Sequence, residues 1–133
     1  APPPPCVAAL KKQILTTIDD MRARSQSTGE GFGVALCGTF PPGVDEDSYA
    51  SIAAALKGGP GLLLLDGYKG VDATLLTRRV DVLKINSDEL LELAGMGSDL
   101  DAAAEHVFKT YLSPSSLLAV TCGSDSALLW DMG

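Results

Sequence analysis

The sequence lacks any long apolar segment and is poor in positive charge. Its longest unbroken apolar runs, residues 6–10 and 52–56, are far too short to cross a bilayer, so we expect no membrane span. Lysine and arginine number 10 against 17 aspartate and glutamate residues, which gives a net charge of −7. A general nucleic-acid binder needs a basic surface to replace phosphate counterions, so this class of partner is not expected.

Paired cysteines are also missing. The three cysteines, Cys6, Cys37 and Cys122, show no C-x-x-C spacing, which favours reduced thiols and an intracellular compartment, cytoplasm or an organelle such as a plastid or mitochondrion. Cys37 and Cys122 lie in apolar, strand-like runs, and we expect both to be small buried hydrophobes. The single His106 falls on the polar side of a predicted helix, where we expect it to be solvated and not a metal ligand.

The composition is that of a globular α/β protein. Hydrophobic residues make up 46% of the 133 residues and charged residues 20%. Residues 1–6 form a proline-rich lead-in without the apolar core or basic start of a signal peptide. Residues 7–133 are predicted to form a single α/β domain.

Helical and strand-like patterns alternate along the chain. A polar turn is predicted at residues 25–31, and Asp45 or Asp47 is predicted to cap the second helix. The predicted helices cover residues 7–24, the stretch from that cap to Leu56, and residues 72–78, 87–94 and 99–112. The predicted strands cover residues 32–37, 62–65, 80–85, 117–121 and 127–130, the last after a hairpin turn at 123–126. The alternation predicts a mostly parallel sheet, and its apolar strands are expected to be buried on both faces.

Small, polar and acidic residues follow the predicted strands where they end. These stretches are residues 38–43, 66–67, 86–89 and 121–123. Because ligands of open α/β sheets bind beyond the carboxyl ends of the strands, this rim is the first candidate binding site.

Each of these stretches also has a purely structural interpretation. Asn86 followed by Glu89 fits the capping box of a helix. Asp66 at a strand end is ambiguous, and residues 38–43 have the composition of an ordinary loop. The glycines at 58–61 are not followed by Lys-Ser or Lys-Thr, so a P-loop is excluded.

The order of the segments resembles one enzyme family. Residues 38–44, GTFPPGV, resemble the G-S-L-P-P-G-V segment of the PfkB (ribokinase-like) carbohydrate kinases. Residues 83–90, LKINSDEL, are similar to their K-P-N-x-x-E element, and residues 120–128, VTCGSDSAL, to their V-T-x-G-x-x-G-A-L element. The double proline is closest to the phosphofructokinase and tagatose-phosphate kinase branch. The resemblance implies a partial ribokinase-like, Rossmann-type three-layer α/β sandwich covering the middle to the nucleotide-binding side of a member.

By this resemblance, the chain would bind ATP and Mg²⁺ and act on a sugar or sugar phosphate. Asn86 and Glu89 would organise Mg²⁺, and Thr121 and Gly123 would contact the nucleotide, with Lys84 and Asn86 beside its phosphates. Lys84 would be the candidate stabiliser of the transition state, since phosphoryl transfer depends on positioning and charge neutralisation.

Other features depart from the family pattern. The G-A-G-D element that carries the catalytic base would follow Gly133, and the sugar-binding half would precede this chain, so no catalytic base is assigned here. Ile85 replaces the usual proline of the K-P-N element. Ser126 stands where glycine is usual, and a positive φ would be strained there.

Two functional hypotheses remain open. The chain is a segment of an ATP-dependent sugar or sugar-phosphate kinase, completed by flanking sequence or a partner chain. Alternatively, it is a catalytically inactive PfkB-derived structural or regulatory subunit of a larger assembly. A third interpretation, an unrelated Rossmann-like domain, is disfavoured because no strand–helix turn carries G-x-G-x-x-G.

Overall fold

The computed structural model describes residues 5–38, 46–56, 59–67, 71–95 and 97–132. Helices in these ranges are α1 (Pro5–Thr28), α2 (Glu46–Leu56), α3 (Asp72–Leu76), α4 (Ser87–Ala94) and α5 (Leu100–Tyr111). Strands are β1 (Gly33–Cys37), β2 (Leu62–Asp66), β3 (Val82–Asn86), β4 (Leu117–Thr121) and β5 (Leu128–Trp130). Most of the predicted loop at 38–43, the candidate cap Asp45 and part of the glycine stretch at 58–61 lie outside the described residues.

The strands form one sheet in sequence order, β1-β2-β3-β4-β5. The first four are parallel, and β5 returns antiparallel to β4. The predicted α/β fold with a mostly parallel sheet and a final hairpin is therefore confirmed. Successive parallel strands added in one direction with right-handed crossovers place their connecting helices on a single side of the sheet.

Burial alternates along the strands, as this arrangement requires. Side chains that face the helices are fully buried, among them Leu63, Leu65, Leu83 and Leu118. The opposite surface, which we call the open face, carries Leu64, Val82, Lys84 and Ala119, all at least partly exposed. The prediction of strands buried on both faces is thus wrong for the described residues, which form two layers, a sheet and one layer of helices.

Helix α1 lies at the margin of this core. Ile18 is buried, but Leu10, on the same helix, is 53% exposed. The helix also continues through Thr28, into the predicted turn at 25–31, and ends where Gly29 adopts a φ of 76°. It begins at Pro5, inside the predicted lead-in, whose first residues lie outside the described ranges.

Arg79 and Asp81 join the amino-terminal ends of the strands to the helix layer. The Arg79 guanidinium donates to the backbone oxygens of Leu56, at the end of α2, and of Gly61, and it pairs with the Asp81 carboxylate. The same carboxylate accepts from the backbone N–H of Leu63 at 2.7 Å. Strand β3 begins at Val82, two residues after the predicted start at Val80, so Arg79 and Asp81 lie just before it.

Local signals set the boundaries of α4 and α5. Gly95 ends α4 in the left-handed conformation, with a φ of 68°. Asp99 caps α5, accepting from the backbone N–H of Ala102 at 3.1 Å. Within the part of the chain that the structure describes, no helix is long and apolar enough to span a bilayer.

Candidate functional site

The candidate residues meet at the carboxyl ends of β1–β4, an edge that we call the carboxyl rim. Strand register places Cys37 beside Asp66 and Asp66 beside Lys84. Two residues beyond Lys84 on β3, Asn86 lies beside Thr121 of β4. Since every second residue of a strand shares a face, all five of these side chains belong to the open face. The structure therefore brings Lys84, Asn86 and Thr121 together, as predicted.

Lys84 and Asp66 form an ion pair on this surface. The Lys84 Nζ lies 3.4 Å from the Asp66 Oδ2, and the two side chains are 45% and 40% exposed. An exposed pair of this kind contributes little to stability, so a ligand that binds Lys84 can separate it from Asp66 at a small energetic cost. The sequence left the role of Asp66 ambiguous, and strand register supplies what was missing, because it makes Asp66 and Lys84 neighbours.

Asn86 and Glu89 form the capping box that the sequence allowed. The Asn86 Oδ1 accepts from the Glu89 backbone N–H at 2.8 Å, and the Glu89 Oε1 accepts from the Asn86 backbone N–H at 3.3 Å. The structural interpretation is thus confirmed. It leaves the second carboxylate oxygen of Glu89 outside the cap, so the cap does not conflict with the predicted role in metal binding.

Thr121 ends β4, and Gly123 lies in the turn that follows. Gly123 has a φ of 62°, a left-handed conformation that favours glycine. The turn is closed by the backbone N–H of Asp125, which donates to the Cys122 carbonyl oxygen at 3.0 Å. Among the described residues, Arg78 is the one non-glycine with positive φ. Ser126 therefore does not adopt the positive φ that would strain a serine at this position.

The cysteine predictions had different outcomes. Cys37 is exposed on the open face, so its predicted burial is wrong, because that face is uncovered in the described residues. Cys122 is partly buried and packs against the core. His106 is exposed, as predicted.

Tyr49 of α2 contacts the end of β1. Its hydroxyl donates to the Cys37 carbonyl oxygen at 3.3 Å. Burial, and secondarily the negative charge of an ionised Cys37, raises the pKa of the Tyr49 phenol above its ordinary value of 10.0. The sequence alone did not reveal this link between α2 and the rim.

The rim fits Mg²⁺ in one specific way. No group of three or more His, Cys, Asp or Glu side chains converges within the described ranges, so an all-protein cage is absent there. Mg²⁺ usually retains several waters and takes one or two carboxylates together with substrate phosphates. Glu89, with Asn86 beside it, matches that limited donor set.

Known proteins resemble this chain in sequence and in fold. No protein-family model matches the sequence. The chain is 32% identical over 97 residues to a 1-phosphofructokinase of Rhodobacter capsulatus. The match covers 72% of this chain and 31% of that protein, so the chain spans about a third of the length of this curated relative.

Solved structures share the fold. Phosphofructokinase-2 of Escherichia coli, in complex with substrates and products, matches with a TM-score of 0.70 and 21% identity, over 96% of this chain and 39% of that one. A fructokinase of Vibrio cholerae O395, bound to fructose, ADP and calcium ion, matches with a TM-score of 0.58 and 19% identity, over 77% of this chain and 36% of that one. The sequence match and the shared fold together identify the chain as a partial-length member of the PfkB carbohydrate kinase family.

Proposed function

We propose that this chain is the nucleotide-binding segment of an ATP-dependent kinase that phosphorylates a sugar or sugar phosphate. The observation that carries the proposal is the register of β2, β3 and β4, which gathers Lys84, Asn86 and Thr121 at the carboxyl rim. That rim is where open α/β sheets bind their ligands. The related phosphofructokinases and fructokinase act on sugars or sugar phosphates, which supports the substrate class.

In this proposal each residue has a defined task. Lys84 places a positive charge beside the nucleotide phosphates and offsets the charge that builds up as the phosphoryl group moves. Thr121 and the backbone around Gly123 contact the nucleotide. Glu89, supported by Asn86, would hold Mg²⁺ largely through water, and the ion would supply charge neutralisation at the phosphates. No residue of this chain is assigned to deprotonate the sugar hydroxyl.

Metal-dependent nucleotide binding tests the proposal. The chain is titrated with ATP by calorimetry, once with excess Mg²⁺ and once with EDTA. The proposal predicts binding that is tighter with Mg²⁺, because the bound ion adds contacts through Glu89. If the chain binds ATP neither with Mg²⁺ nor with EDTA, that result would count against a nucleotide-binding segment.

A second candidate is the inactive structural or regulatory subunit. It is favoured by the apolar side chains on the open face, where Leu62 is 63% exposed and Leu129 is 66% exposed. Exposed apolar side chains on a sheet face offer surface that another chain or segment can cover. This candidate predicts a folded chain that associates with a partner but does not bind Mg-ATP. The same titration therefore separates the two functions.

A further inference from the structure

The Lys84–Asp66 pair gives the proposed phosphate site a built-in competitor. Asp66 and Lys84 are register partners on adjacent strands, so their side chains leave the open face side by side. The Lys84 Nζ and the Asp66 Oδ2 are 3.4 Å apart, and among the described residues this is the one ion pair at the carboxyl rim. The other two described ion pairs, Arg79–Asp81 and Lys109–Glu105, lie at the amino-terminal ends of the strands and on α5.

The pair is built weakly enough to open. Both side chains keep more than a third of their surface exposed, at 45% for Lys84 and 40% for Asp66. Water screens such a pair, and ordering a long lysine side chain costs conformational entropy, so exposed pairs contribute little net stability. The partly buried Arg79–Asp81 pair, at 13% and 24% exposure, is held by further backbone contacts and is less free to open.

Opening the pair has a definite electrostatic consequence. While Asp66 holds Lys84, the two charges largely cancel for any approaching anion. An anion that binds Lys84 must displace the Asp66 carboxylate and then remain close to the negative charge of that carboxylate. Polyphosphates carry several charges and can meet this requirement, whereas singly charged anions gain too little.

We propose that Asp66 is a specificity-determining residue, the internal counter-ion of Lys84 that a phosphate group must displace in order to bind. This inference rests on the proposed function, because it assigns the phosphate to the same lysine. It adds that removing the Asp66 charge strengthens the binding of metal-free polyphosphate. Both effects of the change, a freed lysine and less repulsion, act in that direction.

The test follows the Lys84 side chain by NMR, with tripolyphosphate in EDTA as the probe at constant ionic strength. Wild-type chain, Asp66→Asn and Asp66→Glu are compared at matched concentrations. The Lys84 signals of Asp66→Asn should respond at about two- to fivefold lower tripolyphosphate than those of wild type, the range expected for an exposed pair. Asp66→Glu retains the negative charge, so its Lys84 signals should respond at nearly the same tripolyphosphate concentration as those of wild type.

Lys109 is the matched internal control. Its Nζ lies 2.8 Å from the Glu105 Oε1 in an exposed pair on α5, away from the rim. General screening by tripolyphosphate would shift Lys109 and Lys84 alike, and that result would overturn the proposal. The proposal would also be overturned if Asp66→Asn needed as much tripolyphosphate as wild type, or more, to shift the Lys84 signals. A Lys84 signal that responds in neither protein would overturn it as well. Failure of the proposed function is separate: Mg-ATP would then not bind, while tripolyphosphate would still compete with Asp66.

Discussion

Asn86 and Glu89 hold each other through the backbone at the start of α4. Each side chain accepts a hydrogen bond from the other residue's backbone N–H, at 2.8 Å and 3.3 Å. These residues therefore contribute to stability whether or not a ligand binds. Tests of their role in ligand binding must preserve the cap.

Asn86→Ala and Asn86→Ser separate the two roles of Asn86. Alanine removes the cap and should lower the free energy of unfolding by about 1 kcal/mol, whereas serine caps nearly as well. Both changes remove the side-chain amide and should weaken Mg-ATP binding. Urea denaturation and calorimetry on the two variants check this. Equal loss of stability in both would contradict the capping argument, and unchanged Mg-ATP affinity in Asn86→Ser would remove Asn86 from the ligand site.

Glu89→Gln tests the carboxylate charge with the helix start intact. Glutamine also serves at the third position of a capping box, so stability should change by no more than about 0.5 kcal/mol. Loss of the charge should abolish the difference between ATP affinity measured with Mg²⁺ and with EDTA. Glu92→Gln, at an exposed position of the same helix, is the control and should leave that difference unchanged. A Glu89→Gln chain that keeps full Mg²⁺ dependence would show that the metal is held elsewhere.

Arg79→Met should destabilise the fold strongly. The change leaves Asp81 as an unpaired, largely buried carboxylate and removes the donor to Leu56 and Gly61. Breaking one side of such a pair costs about 3 kcal/mol, to be measured by urea denaturation. Lys109→Met, which breaks an exposed pair, should cost less than about 0.5 kcal/mol. Similar losses in both variants would contradict the role given to the Arg79 network.

Tyr49→Phe should alter stability at high pH. The raised pKa of Tyr49, caused first by burial and then by Cys37, means that the folded state resists ionisation of the phenol. The contribution of the protonated Tyr49 phenol to the free energy of unfolding is fully present below about pH 10 and is lost as pH rises through the folded-state pKa. Unfolding free energies of both proteins are measured between pH 8 and pH 11, a range of about 3 units around the ordinary tyrosine pKa. Wild type should fall more steeply above pH 10, and parallel curves would contradict the assignment.

The sequence predicted the order and type of the elements because apolar periodicity and helix caps are local signals. The capping box at Asn86 is confirmed, and α4 covers Ser87–Ala94, the predicted range. Residues 39–45 lie outside the described residues, so the predicted role of that loop is untested.

The predictions that failed depended on contacts between distant parts of the chain. Cys37 has the apolar neighbours of a buried strand residue, but burial depends on what covers its face of the sheet, and the described helices cover the other one. Arg79 and Asp81 carry no sequence signal for their partners at Leu56, Gly61 and Leu63, because those contacts exist only once the strands are assembled. The pairing of Asp66 with Lys84 became apparent for the same reason, from strand register.

Calorimetric titration with Mg-ATP of the wild-type chain, Lys84→Met and Lys109→Met tests the central claim most directly. Wild type and Lys109→Met should bind with equal affinity, since Lys109 lies on α5 away from the rim. Lys84→Met should bind about tenfold more weakly or worse, the loss expected when a charged contact to phosphate is removed. Equal affinity in all three proteins, or no binding by a folded wild-type chain, would contradict the account of the carboxyl rim as a nucleotide site.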